Sequence, residues 1–485
     1  MLTEQTLTRN GERLLIFALV IGSFLAVVNT TTINIALPSF RDYFQADIKT
    51  VQWLVVGYML ANGLVMPTIG YFMDRFSGCR LFITGLVILL VTSVVCAVAP
   101  SIEILIAARI GQGLAGGILM PVPGALVYQF IPRERQLMTI SLVSMVVSVG
   151  VALGPTLAGV LINYWGWRAI FLFNVPVVLV DLLLVVKYVP VKVLSAGQRL
   201  DVMGLACASI GTVGLLIGFN QGSELGWTSP MVVATLSISS LALIYFIFHE
   251  VRIKMPMLNF AVFGYAGFTY SFLLNSTASI ATCLSPLFMA FFLQDVMQLN
   301  ALHAGLAMFV PSLLMALMAP VAAKSAERFS RRAVIFCGML ILLVATWELS
   351  NFSLATTLVG VTVWMSLRYA GLGLMIPLVN NFAMSAVPVK LTSHASAMLN
   401  WTRQLISTIS VSVFSVIYAS HMLRYAREGL GAEAPAVQNR LIECVAINDV
   451  NFYSLLLLAA CLPLVYFLKD HLLAQENTPE GSAEL

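Results

Sequence analysis

Charged side chains make up only 10% of this 485-residue chain, and a few of them stand inside long apolar runs. Arg109 opens "RIGQGLAGGILMP" (109–121), Asp181 lies in "VVLVDLLLVVK" (177–187), and Arg368 and Arg403 interrupt apolar stretches further on. A fixed charge near the centre of a bilayer costs about 2.5–3.5 kcal/mol on insertion scales, so such residues face a protein interior and mark a pathway. An arginine there can balance or relay charge, and a buried acid is a candidate protonation switch.

Arg109, Gln112, Gly113, Gly116, Gly117, Met120 and Gly124 fall on one helical stripe, so the arginine shares its face with small residues. That face suits the close approach of another helix. The alternative is an arginine that snorkels to the outer interface. Asn29 and Thr32 lie on a second small and polar stripe with Gly22, Ala26 and Ala36. There an uncharged amide could bind substrate or bond to another helix. Asp181 could instead pair with a base, and Arg368 and Arg403 could bind an anionic group or balance a carboxylate. In "GVALGPTLAG" (150–159), Gly154 sits on a small-residue ridge and Pro155 removes a backbone donor, which predicts a bent, tightly packed helix.

The elements that must position these residues follow from composition. Hydrophobic residues are 59% of the chain, against about 45–50% in soluble proteins, so the bilayer must be the solvent for most of it. Fourteen apolar segments are long enough to span, near 14–38, 51–73, 81–99, 102–130, 138–162, 168–188, 202–219, 231–249, 264–292, 303–323, 334–350, 355–386, 395–419 and 451–469. The first reads as a retained helix and not as a cleaved signal peptide. With the N-terminus placed inside, most of the 26 Lys and Arg fall in cytoplasmic segments, which predicts that both ends are cytoplasmic in a multi-pass inner-membrane protein.

Several classes are excluded or disfavoured. The net charge of +4 does not suggest nucleic acid, and the seven cysteines and five histidines show no metal spacing. No GxxxxGK[ST] loop and no catalytic serine context occurs, so neither an ATPase nor an enzyme is expected, and no cofactor.

The chain also repeats itself. "PTIGYFMDRFSGCR" (67–80) and "PVAAKSAERFSRRA" (320–333) align on Pro, an acid and Arg-Phe-Ser, and the pairs Pro121/Pro132 and Pro377/Pro388 are each eleven apart. Two six-helix bundles with two helices inserted between them are therefore expected, at 1–190, 191–263 and 264–485. Repeated bundles around a midplane site are a recurring transporter design.

"GYFMDRFSGCR" and "RIGQGLAGGILMP" resemble the loop and helix-four motifs of the major facilitator superfamily. "GVALGPTLAG" is similar to its antiporter motif, while "NTTTINIALP" and "RLDVMGLACASIGTVGLLIGFNQGSELGW" (199–227) resemble the fourteen-span drug:proton antiporter branch, as does "NWTRQ" (400–404). The resemblance implies an all-α membrane protein with the major facilitator fold. It implies that Asp74 and Arg75 latch the bundles, where the alternative is a merely solvated loop. It also implies that Arg109 takes part in proton transfer and that the Gly154-Pro155 bend seals the path.

Two departures stand out. Ser77 occupies the place of the loop motif's usual glycine, and Asn29 that of the first helix's usual acid. The expected function is proton-driven export of amphipathic drugs or antibiotics, multidrug resistance by alternating access, with Asn29, Thr32, Gln112, Arg368 and Arg403 toward the substrate. The substitution at Asn29 predicts tolerance of neutral or zwitterionic drugs, lincosamide-like ones among them. Transport of another organic solute, or a non-transporting sensor, is the alternative. The partners expected are a small-molecule substrate, protons and lipid, with the chain as a monomer.

Overall fold

A computed structural model describes residues 9–46, 48–188, 201–253, 256–299, 301–428 and 435–468. Among these residues there are helices and no strands, and fourteen helices are long and apolar enough to cross a membrane. In chain order they are α1 Gly11–Thr31, α2 Thr50–Phe76, α3 Gly78–Val98, α4 Ile102–Phe130, α5 Arg133–Trp165, α6 Arg168–Lys187 and α7 Val202–Phe219. There follow α8 Pro230–Arg252, α9 Ala266–Val296, α10 His303–Arg328, α11 Arg331–Leu349, α12 Leu358–Ser385, α13 Val389–Arg427 and α14 Val437–Phe467. Many large side chains on them are exposed, Leu183, Leu241 and Val359 among them. In a spanning helix such residues face lipid, and the buried stripes meet other helices.

Each expected segment has its helix, and the differences lie at the ends. Helix α5 begins at Arg133, in residues too polar to read as a span. Pro132 stops the preceding helix, its carbonyl accepts the Arg135 amide at 2.9 Å, and the Arg135 guanidinium bonds Glu12 of the α1 segment at 3.0 Å. Helix α13 runs well past the expected residue 419. His421 Nδ1 lies 2.6 Å from Asp449 Oδ2 on α14, and the Tyr425 hydroxyl donates to the same oxygen at 2.5 Å, which holds the extra turns.

The chain forms two compact units. One comprises Met1–Gly218, Thr228–Ala261 and Val389–Leu405; the other comprises Phe219–Trp227, Val262–Pro388 and Ile406–Leu485. The hairpin α7–α8 packs within the first unit, as does the start of α13. Trp401 Nε1 donates to Thr212 Oγ1 of α7 at 3.0 Å, and its ring meets Phe246 of α8 edge-on at 5.9 Å.

The internal echo falls at equivalent turns, and the two serines in it do different jobs. Ser330 ends a two-residue link between α10 and α11 with ordinary extended torsions, and its hydroxyl caps α11 by accepting the Ala333 amide at 3.1 Å. Ser77 alone links α2 to α3. So short a link forces φ to +80°, in the left-handed region that favours glycine, and the buried Ser77 hydroxyl has no hydrogen-bond partner among the described residues. This is the position at which the loop motif that this segment resembles carries glycine. Ser77→Gly is therefore expected to stabilise the protein by about 1 kcal/mol, and Ser330→Ala to destabilise it by about 1 kcal/mol. Thermal unfolding of both variants in the same detergent checks the opposite signs.

Candidate functional site

Arg109 is fully buried in the first unit, which rules out snorkelling. Its guanidinium bridges three helices. Nε donates to the Leu54 carbonyl on α2 at 3.2 Å; Nη1 donates to the Asn29 carbonyl at 3.3 Å, to Asn29 Oδ1 at 3.2 Å and to Gln112 Oε1 at 2.8 Å. The Tyr58 ring lies 4.6 Å from Cζ and offers its π-face to the cation. All of these partners are neutral, and Nη2 has no acceptor among the described residues.

The small stripe on α4 explains how the helices come so close. A Cβ on Gly113 would meet the Tyr58 carbonyl oxygen at 2.3 Å, so only glycine lets α2 approach. Polar contacts continue outward from Gln112, whose Nε2 donates to Ser93 Oγ on α3 at 2.9 Å, and Asn174 of α6 reaches the same hydroxyl at 3.5 Å. On α1, the Thr30 hydroxyl donates to the Ala26 carbonyl of its own helix at 2.9 Å and lies 2.9 Å from the Tyr58 hydroxyl, while the Thr32 hydroxyl donates only within its helix, to the Val28 carbonyl at 2.8 Å.

Asp181 is also fully buried, yet neither carboxylate oxygen has a hydrogen-bond partner among the described residues. Its surroundings are Phe82 and the backbone of α1 at Gly22, where a Cβ would lie 3.3 Å from Oδ2. Gly22 and Asn29 are seven residues apart on one helix, so Asp181 and Arg109 touch the same face of α1 about 10 Å apart. They do not pair.

Gly154 is where α5 meets α1: a Cβ there would fall 1.9 Å from Thr31 Oγ1. Pro155 lies within the helix, with its side chain outside the described residues.

Asp74 sits at the end of α2, against the start of α13. Oδ1 accepts the Ser393 hydroxyl at 3.1 Å, and Oδ2 lies 3.1 Å from His394 Nε2. The other ring nitrogen, Nδ1, accepts the Asn259 amide at 3.3 Å, so the ring proton resides on Nε2 and is donated to Asp74. Beside them Ser396 donates to the Pro121 carbonyl at 2.7 Å. Arg75 turns to the Tyr71 hydroxyl and lies over the Phe76 ring, with Cζ 5.4 Å from its centroid. Asp74 thus has protein partners and is not merely solvated.

Neither of the later arginines meets a carboxylate among the described residues. Arg403 donates to Asn400 of its own helix at 2.7 Å. Arg368, buried in the second unit, donates to Asn451 Oδ1 at 3.3 Å and to the Ala281 carbonyl at 3.4 Å. Tyr58, Ser93, Asn174 and His394 are the members that sequence reasoning missed. An amide in the apolar run "FLFNVP" was a readable signal for Asn174; the other three look like ordinary helix residues until the helices are assembled.

Residues 19–411 match the Major Facilitator Superfamily. The chain belongs to that superfamily. Among its relatives is the lincomycin resistance protein LmrB of Bacillus subtilis, 25% identical over 87% of this chain and 89% of that protein. Another is the multidrug resistance protein Stp of Mycobacterium tuberculosis, 26% identical over 91% of this chain and 82% of that one. The structure of the human organic anion transporter MFSD10 superposes with a TM-score of 0.62 at 14% identity, covering 92% of this chain and 99% of the other, which shows the shared fold. A multi-pass transporter fold with fourteen membrane helices and drug-resistance relatives agrees with the motifs in the sequence.

In this superfamily member the arginine on α4 has an amide partner where the first-helix motif carries an acid. Asn29→Asp would place a carboxylate beside an already buried cation, and stabilisation by about 1–2 kcal/mol is expected. Asn29→Leu removes an acceptor from a buried guanidinium and should destabilise by about 1–3 kcal/mol. Thermal unfolding measures both, and equal midpoints would show that Arg109 does not depend on residue 29.

Proposed function

We propose that the chain exports amphipathic drugs or antibiotics across the cytoplasmic membrane by alternating access, driven by the proton gradient, with both termini cytoplasmic. The observation that carries this reading is Asp181, a buried carboxyl that no cation or hydrogen bond compensates among the described residues. Charge in an apolar bundle must be paired or neutralised, so the group is suited to carrying a proton in one state and releasing it where water enters. The drug-resistance names of relatives along nearly the whole chain support the substrate class.

Arg109 has the complementary role in this scheme. It is a permanent cation on the same face of α1 as Asp181, so a charge appearing on Asp181 changes the field in which α1 and α4 pack. Asn29 and Gln112 hold the guanidinium in the state described; on opening, the same amides become available to a neutral or zwitterionic solute. Gly154 keeps α5 close against α1. Asp74, seated on Ser393 and His394, acts as the latch of one state of the cycle, a contact that must break for the other state to form. One proton crossing 100 mV supplies about 2.3 kcal/mol, enough to concentrate a neutral solute roughly fiftyfold.

Inverted vesicles loaded by an imposed pH gradient test the scheme with lincosamide-like and cationic compounds side by side. Arg109→Ala is expected to abolish gradient-driven uptake while the protein remains inserted. Asp181→Asn is expected to flatten the dependence of uptake on pH. Unchanged profiles in both variants would remove these residues from proton coupling, and absence of gradient-driven flux for every compound would remove drug export itself.

A further inference from the structure

The hairpin α7–α8 carries a second buried acid with no role in the scheme above. Glu250, at the end of α8, is 2% exposed; Oε2 accepts the Leu258 amide at 3.2 Å, and Oε1 has no partner among the described residues. It is aimed at Asp201. A Cβ on Gly204 would meet Asp201 Oδ2 at 2.2 Å and Glu250 Oε1 at 2.7 Å, so both oxygens close on the space that this glycine leaves empty. Asp201 is otherwise engaged as the cap of α7: Oδ1 accepts the Gly204 amide at 3.0 Å, and Oδ2 lies 2.9 Å from His249 Nε2.

Two carboxyl groups that converge where their side chains are largely buried share a proton more readily than they hold two charges. We propose that Asp201 and Glu250 form a proton-binding site in which Glu250 Oε1 donates to Asp201 Oδ2, and that this proton governs the contact made by Asp74. The governing path runs through the strap, residues 256–261. Glu250 holds the Leu258 amide, and the next amide, that of Asn259, donates to His394 Nδ1. That bond leaves the ring proton on Nε2, where it serves Asp74. The strap is well seated, since Met257 and Leu258 are fully buried. The hairpin that carries the site is stiff, because Gly211, Gly214 and Gly218 of α7 admit Leu243, Ser239 and Leu236 of α8 at closest approach.

When the proton leaves to water, two like charges face each other and Glu250 must swing away. The Leu258 amide loses its acceptor, the strap lifts, and His394 loses the donor that fixed its tautomer. The two inserted helices would thus report proton binding to the Asp74 latch. Other titratable or charged groups near the carboxyl pair, among the described residues, are His249, which faces Asp201, Arg252 two residues further along α8, Cys207 on the Asp201 helix, and His394 beyond the strap with Asp74 behind it. The strap itself adds only backbone amides. Of these, Arg252 stacks on Phe248, with Cζ 3.6 Å from the ring centroid, and His249 faces Asp201, which leaves the carboxyl pair as the site whose charge moves the strap.

The inference rests on Asp74 acting as a latch, but its test needs no transport. Hydrogen–deuterium exchange of the full chain in lipid nanodiscs, corrected for the intrinsic rate, reads the strap amides 257–261 from mildly acidic to mildly alkaline pH. Exchange is expected to rise with pH, on the order of tenfold for a one-unit difference in proton affinity between seated and lifted strap. In Glu250→Gln the side chain can still accept from Leu258 and donate to Asp201, so exchange should stay low and independent of pH. Asp201→Asn should flatten the profile too and serves if the first variant does not fold.

Titration of His394 alone predicts the reverse sign. A proton on Nδ1 would expel the Asn259 amide, so exchange would rise on acidification and Glu250→Gln would not change it. That outcome, or a flat profile in the unmodified protein, overturns the proposal. If the strap behaves as expected but the Asp74→Asn variant transports normally, the proton site stands and the latch reading fails.

Discussion

A guanidinium in an apolar slab must find every acceptor within the protein, and that requirement shapes the first unit. Among the described residues Arg109 forms no ion pair. It is held by two backbone carbonyls, two side-chain amides and a tyrosine ring, which come from α1, α2 and α4. Neutral dipoles can hold a cation only if several converge, since each supplies a fraction of what one carboxylate would. Convergence in turn demands that three helices approach within reach of a single side chain. Gly113 permits it by letting the α2 backbone lie where a side chain would otherwise be. A lysine would not serve, because its compact ammonium lacks the planar fork that reaches Leu54 with one nitrogen and Asn29 with another.

Helix α1 then becomes the element through which the two buried charges of this unit can sense each other. Asp181 meets it at Gly22 and Arg109 meets it at Asn29, two helical turns along the same face. The separation is too great for a hydrogen bond, yet it is short for electrostatics in a medium that screens poorly. In the proposed scheme, a helix tied to a permanent cation at one level and to a buried carboxyl at another is biased by the charge of the second without any direct link. Gly154, which brings α5 onto Thr31, places a third helix against the same rod, so a shift of α1 cannot remain local.

Much of this was legible in the sequence because lipid imposes simple rules. Spans declare themselves by length and apolarity, so all fourteen were found, and errors fell where polar residues extend a helix, as at Arg133 and beyond residue 419. The buried charges were legible for the same reason, since Arg109, Asp181 and Arg368 have no business in apolar runs unless the protein uses them. Their partners were not. Backbone carbonyls such as that of Leu54 have no sequence signature, and His394 reads as a residue near a helix end until the Asn259 amide and Asp74 are brought to its two nitrogens. Ser77 shows the opposite case. The departure from glycine was visible in the sequence, but its meaning depends on a one-residue link that only the folded chain displays.

The repeat in the sequence shaped helices more than it shaped chemistry. Each unit has a buried arginine on an equivalent span, Arg109 on α4 and Arg368 on α12, and each is bonded to an amide and a carbonyl. The acids do not follow the repeat. Among the described residues, the buried carboxyl groups are Glu12, Asp181 and Glu250, and all three belong to the first unit. Glu12 is paired with Arg135, which leaves two acids with oxygens that no described residue satisfies. A duplicated scaffold supplies matching bundles, and under the proposed scheme a group that gains or loses a proton is needed in only one of them. Keeping such groups on one side also limits how many buried carboxyl groups the fold must tolerate, and each of these is a cost that the bilayer does nothing to relieve.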